Sequence, residues 1–151
     1  MGQLKVGQGA WVIVCDGRKA LILENTGDDA YPDLRIVENQ KREDPPTSAI
    51  GSDSPGTVHQ SSEMMRSSVG QTDWHDEAER LFLAALAARL DRAVTGRETR
   101  ALVVVAPPRA LGMIRKAYTA HVRAALVDEI DKDLVALPVK DIEANLFGKR
   151  K

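Results

Sequence analysis

Ala101-Leu-Val-Val-Val-Ala106 is the stretch that decides the fold, because it is apolar throughout and shows no polar alternation. A strand with this pattern is typically covered on both faces, as the interior strands of α/β sheets are. Pro107-Pro108 ends the strand and begins a helix, in which Leu111, Ile114 and Tyr118 lie on one side. We therefore predict a sheet that has this stretch at its middle.

Three strands are predicted before that stretch. The apolar runs Ala10-Trp-Val-Ile-Val-Cys15 and Ala20-Leu-Ile-Leu-Glu24 are separated by Asp16-Gly17-Arg18. This pattern predicts a β-hairpin, because Asp-Gly tolerates the positive φ angles that tight hairpin turns require. Leu34-Arg-Ile-Val-Glu38 follows a second turn and is most simply a third strand of an antiparallel meander.

One long helix is predicted between the meander and the apolar strand. Thr72 or Asp73 is suited to cap its first turn, and Gly96 is a natural C-terminal stop. Apolar residues recur between these ends at helical spacing, and we expect their face to cover the sheet. They are Ala78, Leu81, Phe82, Ala85, Leu86, Leu90, Ala93 and Val94.

The C-terminal part is predicted to hold a last strand and a last helix. Residues 122–130 fit either a continuation of the preceding helix or a final edge strand, and the strand is the preferred interpretation. Pro138 begins the last helix, and residues 148–151 form a short basic tail. The apolar positions of this helix are Val139, Ile142, Leu146 and Phe147.

The predicted order of elements is β-β-β, long loop, α-β-α-β-α, in a chain of 151 residues, which suits one domain. Crossover connections are right-handed and make their strands parallel. The expected fold is therefore a single α/β domain over residues 1–151. It has about three helices and a mixed five-stranded sheet, in which an antiparallel meander joins two parallel crossover strands. This is the order of elements in ribonuclease-H-like domains.

The segment at about residues 41–73 differs in composition from the rest of the chain. It contains three prolines, three glycines and seven serines. Such a composition does not support a packed element, so we predict a long polar loop. A structureless loop of this length in a compact domain is generally either functional or disordered.

The charges of the chain are nearly balanced, with 21 Lys and Arg against 22 Asp and Glu. There is no global positive field, so any RNA contact would have to be local. Cys15 is the only cysteine, which excludes an intrachain disulfide, and packing is its expected role. The N-terminus lacks a signal-peptide pattern and no apolar run is long enough to span a membrane, so we expect a cytoplasmic protein.

No complete catalytic or metal-binding set is evident in the sequence. The two-metal nuclease chemistry of ribonuclease-H-like domains needs several carboxylates at strand ends. Asp16 follows the first strand, but the central strand ends without an acid, so turn formation is the better interpretation of Asp16. The histidines His59, His75 and His121 lack metal-ligand spacing. We expect neither a metal nor a cofactor.

Two positions remain as candidates for a binding site. Arg109 lies in the first turn of the helix after the apolar strand. There it either holds an anion together with backbone N–H groups or pairs with a loop carboxylate as a structural residue. Trp74 stands beside His75 at the predicted start of the long helix. It either anchors the loop as a hydrophobic staple or offers a stacking platform for a base.

Five motifs occur in order along nearly the whole chain. They are Trp11-Val-Ile-Val-Cys-Asp-Gly-Arg-Lys-Ala20, Glu43-Asp-Pro-Pro46, Thr72-Asp-Trp-His75, Leu102-Val-Val-Val-Ala-Pro-Pro-Arg109 and Glu129-Ile-Asp-Lys-Asp133. As a set they resemble the bacterial host-attachment protein family. That family is in turn similar to the middle domain of the eukaryotic and archaeal class I peptide-chain release factors, which has the same order of elements.

The similarity to release factors implies a role for the long loop. In those factors the loop before the long helix carries Gly-Gly-Gln, which enters the peptidyl-transferase centre and positions water for peptidyl-tRNA hydrolysis. This chain has Val69-Gly70-Gln71 at that point. Valine does not readily adopt glycine-only backbone conformations, so hydrolysis using Gln71 is the weaker alternative.

Binding without catalysis is the function that we expect. The resemblance implies docking on the ribosome, tRNA or another RNA through the long loop, with Lys41 and Arg42 among the local cations. The predicted contact residues are Arg66, Gly70, Gln71, Asp73, Trp74, His75 and Arg109. The alternative is a protein-interaction module in host attachment or surface adhesion, in which the loop folds on a protein partner.

Overall fold

The computed structural model of the protein describes residues 4–42 and 60–148, except the side chains of residues 60–74. Its strands are β1 (Trp11–Cys15), β2 (Lys19–Asn25), β3 (Leu34–Lys41), β4 (Leu102–Ala106) and β5 (Leu126–Asp131). Its helices are α1 (Gln60–Thr95), α2 (Pro108–Arg115), α3 (Ala120–Ala125) and α4 (Val139–Phe147).

The strands form one sheet in the order β3-β2-β1-β4-β5. β2 is antiparallel to both β1 and β3, whereas β4 is parallel to both β1 and β5. The predicted mixed five-stranded sheet, with a meander and two parallel crossover strands, is confirmed. One detail is wrong: the middle strand is β1, because β5 adds outside β4 and leaves β4 one strand from the edge.

Both β1 and β4 are buried on both faces. Their side chains alternate between two cores, as the pleat of a strand requires. Ile13 and Val104 belong to the core on the side of α1, α2 and α3, whereas Val12 and Val103 belong to the core on the side of α4. The absence of polar alternation in the sequence thus reflects coverage of the sheet on both sides, as predicted.

Helix α1 begins at Gln60, which contradicts the predicted start at Thr72 or Asp73. The second half of the predicted loop is therefore helical. Gln60-Ser-Ser-Glu-Met-Met-Arg66 contains several residues of high helix propensity, and they outweigh the serines. Gly70 costs about 1 kcal/mol relative to alanine in such a position, which a long helix tolerates. The rest of the predicted loop, residues 43–59, lies outside the described residues.

The buried face of α1 is rotated relative to the predicted one. Leu81 is 55% exposed and Ala85 is also exposed, whereas Leu83 and Ala87, which the prediction omitted, are fully buried. The buried residues are Leu83, Leu86, Ala87, Leu90 and Ala93. These positions keep helical spacing, so the type of element was predicted correctly and its rotation was not.

Asp16 holds the turn between β1 and β2. Its Oδ1 accepts hydrogen bonds from the backbone N–H groups of Arg18 and Lys19, both at 2.8 Å, which confirms the turn-forming interpretation. Gly17 is not among the described residues with a positive φ, so the predicted reason for this glycine is wrong. A Cβ at Gly17 would lie 2.7 Å from the side chain of Glu79. A larger residue at position 17 would therefore displace the Glu79 side chain, which pairs with Arg109.

Residues 122–130 divide between the two predicted alternatives. The first four end helix α3, in which Thr119 Oγ1 caps the N-terminus by accepting a hydrogen bond from Val122 N at 3.2 Å. From Leu126 onward the chain is strand β5, which confirms the preferred interpretation for that part. Tyr118 is buried as predicted, although α2 ends before it at Arg115.

Helix α4 begins after Pro138, as predicted, and buries Ile142 and Leu146. The last residues of the predicted basic tail, 149–151, lie outside the described residues. In the part of the chain that the structure describes, none of the helices has the length and apolar composition to cross a membrane.

Cys15 is fully buried at the end of β1. This burial, together with the nearby charge of Asp16, raises the pKa of the thiol to about 12. Because only the thiolate reacts with iodoacetamide, we expect the folded protein to stay unmodified at mildly alkaline pH, and the protein unfolded in guanidinium to be alkylated at this residue. Intact-mass spectrometry measures both states. Equal alkylation rates in the two states would contradict the buried position.

Candidate functional site

The carboxyl ends of β1, β4 and β5 lie at one edge of the sheet, because these three strands are parallel. Ligands of α/β sheets commonly bind outside this edge. Asp16 follows β1, Pro107 follows β4 and Asp133 follows β5, and all three line a cavity of about 190 Å³. Glu79 of α1 and Arg109 of α2 line the same cavity. This edge is therefore the candidate site.

Arg109 is fixed at this edge by two carboxylates of α1. Its Nε donates to Glu79 Oε1 at 2.9 Å, and its Nη2 donates to Asp76 Oδ1. These contacts, with Glu79 the stronger, raise the pKa of Arg109 above its already high usual value. Arg109 thus pairs with carboxylates, but they lie on a helix and not on the loop from which a partner was predicted. The two carboxylates offset the charge with which Arg109 would attract an anion.

Four basic residues lie together beside this cavity, on the meander. The strand register places Lys19 of β2 directly opposite Lys41 of β3. The backbone N–H of Arg42 donates to Arg18 O at 2.7 Å, and Arg42 Nη1 donates to Gly17 O at 3.3 Å. We refer to Arg18, Lys19, Lys41 and Arg42 as the basic corner.

Lys41 and Arg42 were predicted as local cations, whereas Arg18 and Lys19 were not. The signal for the missing pair lies in the meander itself. In two antiparallel hairpins, the end of the third strand returns to the start of the second. The register therefore brings together cations that are more than twenty residues apart in the sequence, and doubles the local positive charge.

The predicted contact residues of the long helix are placed as follows. Five of them lie on the helical backbone of α1, with side chains outside the described part of the structure: Arg66, Gly70, Gln71, Asp73 and Trp74. His75 is exposed. The next residue, Asp76, contacts Arg109, so the structure brings Arg109 to the end of the predicted stretch.

Three of the four acids that line or border this cavity have structural partners, and the exception among the described residues is Asp133. Asp16 Oδ1 caps the β1–β2 turn, whereas Asp76 and Glu79 pair with Arg109. No three His, Cys, Asp or Glu side chains in the described ranges form a group that could hold a metal ion. His121 lies away from this edge, with its Nδ1 3.2 Å from Asp91 Oδ1. The chemistry available at the candidate site is therefore contact with charged groups.

Comparison with known proteins relates this sequence to a release-factor family. The sequence model of one family, described as bacterial archaeo-eukaryotic release factor family 12, matches residues 9–146. The match extends from before β1 into α4 and so covers the whole sheet. A search of curated proteins found no matching relative. The similarity to release factors that the sequence motifs indicated is confirmed over nearly the whole chain.

Proposed function

Because the chain belongs to bacterial archaeo-eukaryotic release factor family 12, we propose that it is a non-catalytic binding domain, which associates with the ribosome, tRNA or another RNA. The proposed contact surface is the basic corner, together with the stretch of α1 around residues 66–75 and the neighbouring Arg109. The ligand group is the phosphate backbone of the nucleic acid.

The pairing of Lys19 with Lys41 is the observation that carries this proposal. Like charges directly opposite each other on neighbouring strands destabilise a sheet. Among the described residues, neither lysine has an ion-pair partner. Sequence features that oppose folding are expected mainly at functional sites. A cluster of cations at such a site attracts the phosphate backbone of a nucleic acid.

The direction of α1 supports the inclusion of residues 66–75 in the surface. The helix passes the β1–β2 turn at Glu79, where the Cβ of a residue at position 17 would touch it. Its last turn lies near the amino end of β4, since the backbone N–H of Thr99 donates to Ala93 O at 3.4 Å. The turns of α1 before Glu79 therefore continue past the edge that carries the basic corner. A nucleic acid on the basic corner would meet this part of the helix.

We expect the double variant Lys19→Ala/Lys41→Ala to bind RNA more weakly than the wild type, because two phosphate contacts are lost. The slope of log affinity against log salt concentration should fall in magnitude by about 2, roughly 1 for each contact. Fluorescence anisotropy with labelled tRNA and with a labelled single-stranded RNA measures both quantities. The fold should be kept, since the substitution removes a repulsion between strands.

The matched control is Lys5→Ala/Lys140→Ala, which removes two exposed lysines outside the basic corner. This variant should bind as the wild type does. Equal weakening by both double variants would mean that only net charge matters and would overturn the assignment of the surface. If the wild-type protein neither binds RNA nor co-sediments with ribosomes in a sucrose gradient, the proposed function is wrong.

The two alternative functions, peptidyl-tRNA hydrolysis and protein interaction, predict different experimental results. Gly70 and Gln71 lie on the helical backbone of α1, whereas the hydrolytic role implied by the resemblance belongs to a loop. Peptidyl-tRNA hydrolysis that is abolished by Gln71→Ala would nevertheless establish the enzymatic alternative. A protein captured from native lysate by the wild type, and lost when residues 44–69 are deleted, would favour the protein-interaction role in host attachment.

A further inference from the structure

The amino ends of the parallel strands border a second cavity, at the opposite edge of the sheet. This cavity has a volume of about 690 Å³, and its lining includes Gly9 before β1, Arg100 before β4 and Ala125 before β5. Small-molecule sites typically have volumes of roughly 300–1,000 Å³. None of the residues in the basic corner lines it.

The charged residues of this second cavity leave it positive. Arg97 and Arg100 are exposed in the lining, and within the described ranges the side chain of neither makes a hydrogen bond or an ion pair. The one carboxylate of the lining, Glu98, pairs with Arg89 through contacts of 3.0 and 3.1 Å. The lining thus holds two arginines and one carboxylate, and neither arginine pairs with that carboxylate.

The backbone of Arg97 has a conformation in which glycine is the usual residue. Its φ is 63°, the left-handed region. The end of α1 forms a Schellman motif, in which Arg97 N donates to Val94 O at 3.1 Å and Glu98 N donates to Ala93 O at 2.8 Å. The left-handed position of this motif is usually glycine, yet here it is an arginine. Strain of this kind at a residue that lines a cavity points to a function for its side chain.

The glycine next to it does not relieve this strain. A Cβ at Gly96 would lie 2.8 Å from Arg92 O, so Gly96 provides space one position earlier in the turn. Glycine therefore occupies the crowded position 96, while Arg97 adopts the unfavourable positive φ.

The remaining walls of the cavity are partly apolar. Val94, Ala124 and Ala125 contribute aliphatic surface, and His121 also lines the cavity. Asp91 orients the histidine ring, because Asp91 Oδ1 lies 3.2 Å from His121 Nδ1 and also accepts a hydrogen bond from Thr119 at 2.6 Å. A ligand with one strongly anionic end and one less polar end fits this distribution.

We propose that the second cavity binds a phosphate monoester of mononucleotide size. Arg97 and Arg100 hold the phosphate, and the aliphatic wall contacts the remainder of the ligand. Two guanidinium groups match the double negative charge of a monoester and its several acceptor oxygens, whereas a phosphodiester carries a single charge. This site is separate from the proposed RNA surface, since the two lie at opposite ends of the parallel strands.

Isothermal titration calorimetry with adenosine monophosphate tests this proposal on the full chain. The wild type should bind the nucleotide and should not bind adenosine, which lacks the phosphate. Arg100→Ala and Arg97→Gly should each weaken binding at least about tenfold, the effect of losing one charge-assisted hydrogen bond. Arg97→Gly should at the same time raise the melting temperature by a few degrees, because glycine relieves the unfavourable φ.

Arg97→Gly is expected to weaken nucleotide binding and to raise the melting temperature. These opposite effects distinguish a binding role of Arg97 from a structural one. The control Lys116→Ala removes an exposed cation outside the cavity and should leave binding unchanged. Adenosine binding as tightly as the nucleotide, or binding that survives both arginine substitutions, would overturn the proposal. Displacement of the nucleotide by a short RNA without terminal phosphates would assign the site to phosphodiesters instead. The lysine variants of the basic corner should not affect this titration.

Discussion

Replacing Leu86 by alanine is expected to lower the free energy of unfolding by about 3 kcal/mol, within the range for buried leucines. Leu86 is fully buried in the core between α1 and the sheet, in the same cluster as Ile13 and Val104. Alanine leaves a cavity there, because a sheet with helices on both sides cannot collapse into it. Urea unfolding followed by circular dichroism measures the loss, and the melting temperature should fall by roughly 6–12 °C.

Leu81→Ala on the same helix is the matched control, since it makes the same chemical change at a side chain that is 55% exposed. Its effect should stay within about 0.5 kcal/mol, as for surface substitutions in general. A loss at position 81 as large as that at position 86 would show that α1 is rotated from its described position and that the originally predicted face is the buried one.

The rotation of α1 illustrates how far the sequence determines this fold. Residues 81–88 are apolar without interruption, so helical spacing can be read through them in more than one phase. Contacts with the sheet select the phase that buries Leu83 and Ala87. By contrast, the strands were predictable, because β1 and β4 carry an unbroken apolar signal and the hairpin is marked by Asp16.

The candidate site was predictable only in part, for a different reason. Arg109 was identified from its position after an interior strand, which depends on local sequence alone. The partners of Arg109 are some thirty residues away on α1, and Lys19 meets Lys41 only through the register of the meander. The second cavity was not predictable from the sequence, because the left-handed φ of Arg97 leaves no trace in composition or spacing.

Arg89 is a further residue whose importance depends on distant contacts. Its side chain is only 16% exposed and bridges two carboxylates: Nε donates to Glu38 of β3 at 3.0 Å, and the two terminal nitrogens donate to Glu98. The guanidinium also lies 5.3 Å from the ring centroid of Trp11. This one side chain therefore joins α1 to the edge strand, to the loop before β4 and to the core.

We expect Arg89→Met to lower the free energy of unfolding by about 2 kcal/mol, less than for a fully enclosed ion pair because Glu98 remains 45% exposed. Methionine keeps an aliphatic stem over Trp11, so the loss reports the ionic contacts. Arg80→Met is the control, since Arg80 pairs with Glu77 on the exposed side of the same helix at 2.5 Å and more than half of each side chain is exposed. The change at position 80 should be within experimental error.

The pH dependence of this loss provides a second measurement. The hydrogen bond from Gln40, and then the contact with Arg89, lower the pKa of Glu38 below its ordinary value of 4.5. A carboxylate with a lowered pKa stabilises the folded state above its unfolded pKa, and this contribution disappears as the pH falls through the folded pKa. The stability difference between wild type and Arg89→Met should therefore be largest near neutral pH and should shrink below about pH 4.5. A difference that stays constant between neutral and acidic pH would mean that Arg89 stabilises the fold by packing on Trp11 rather than through its carboxylates.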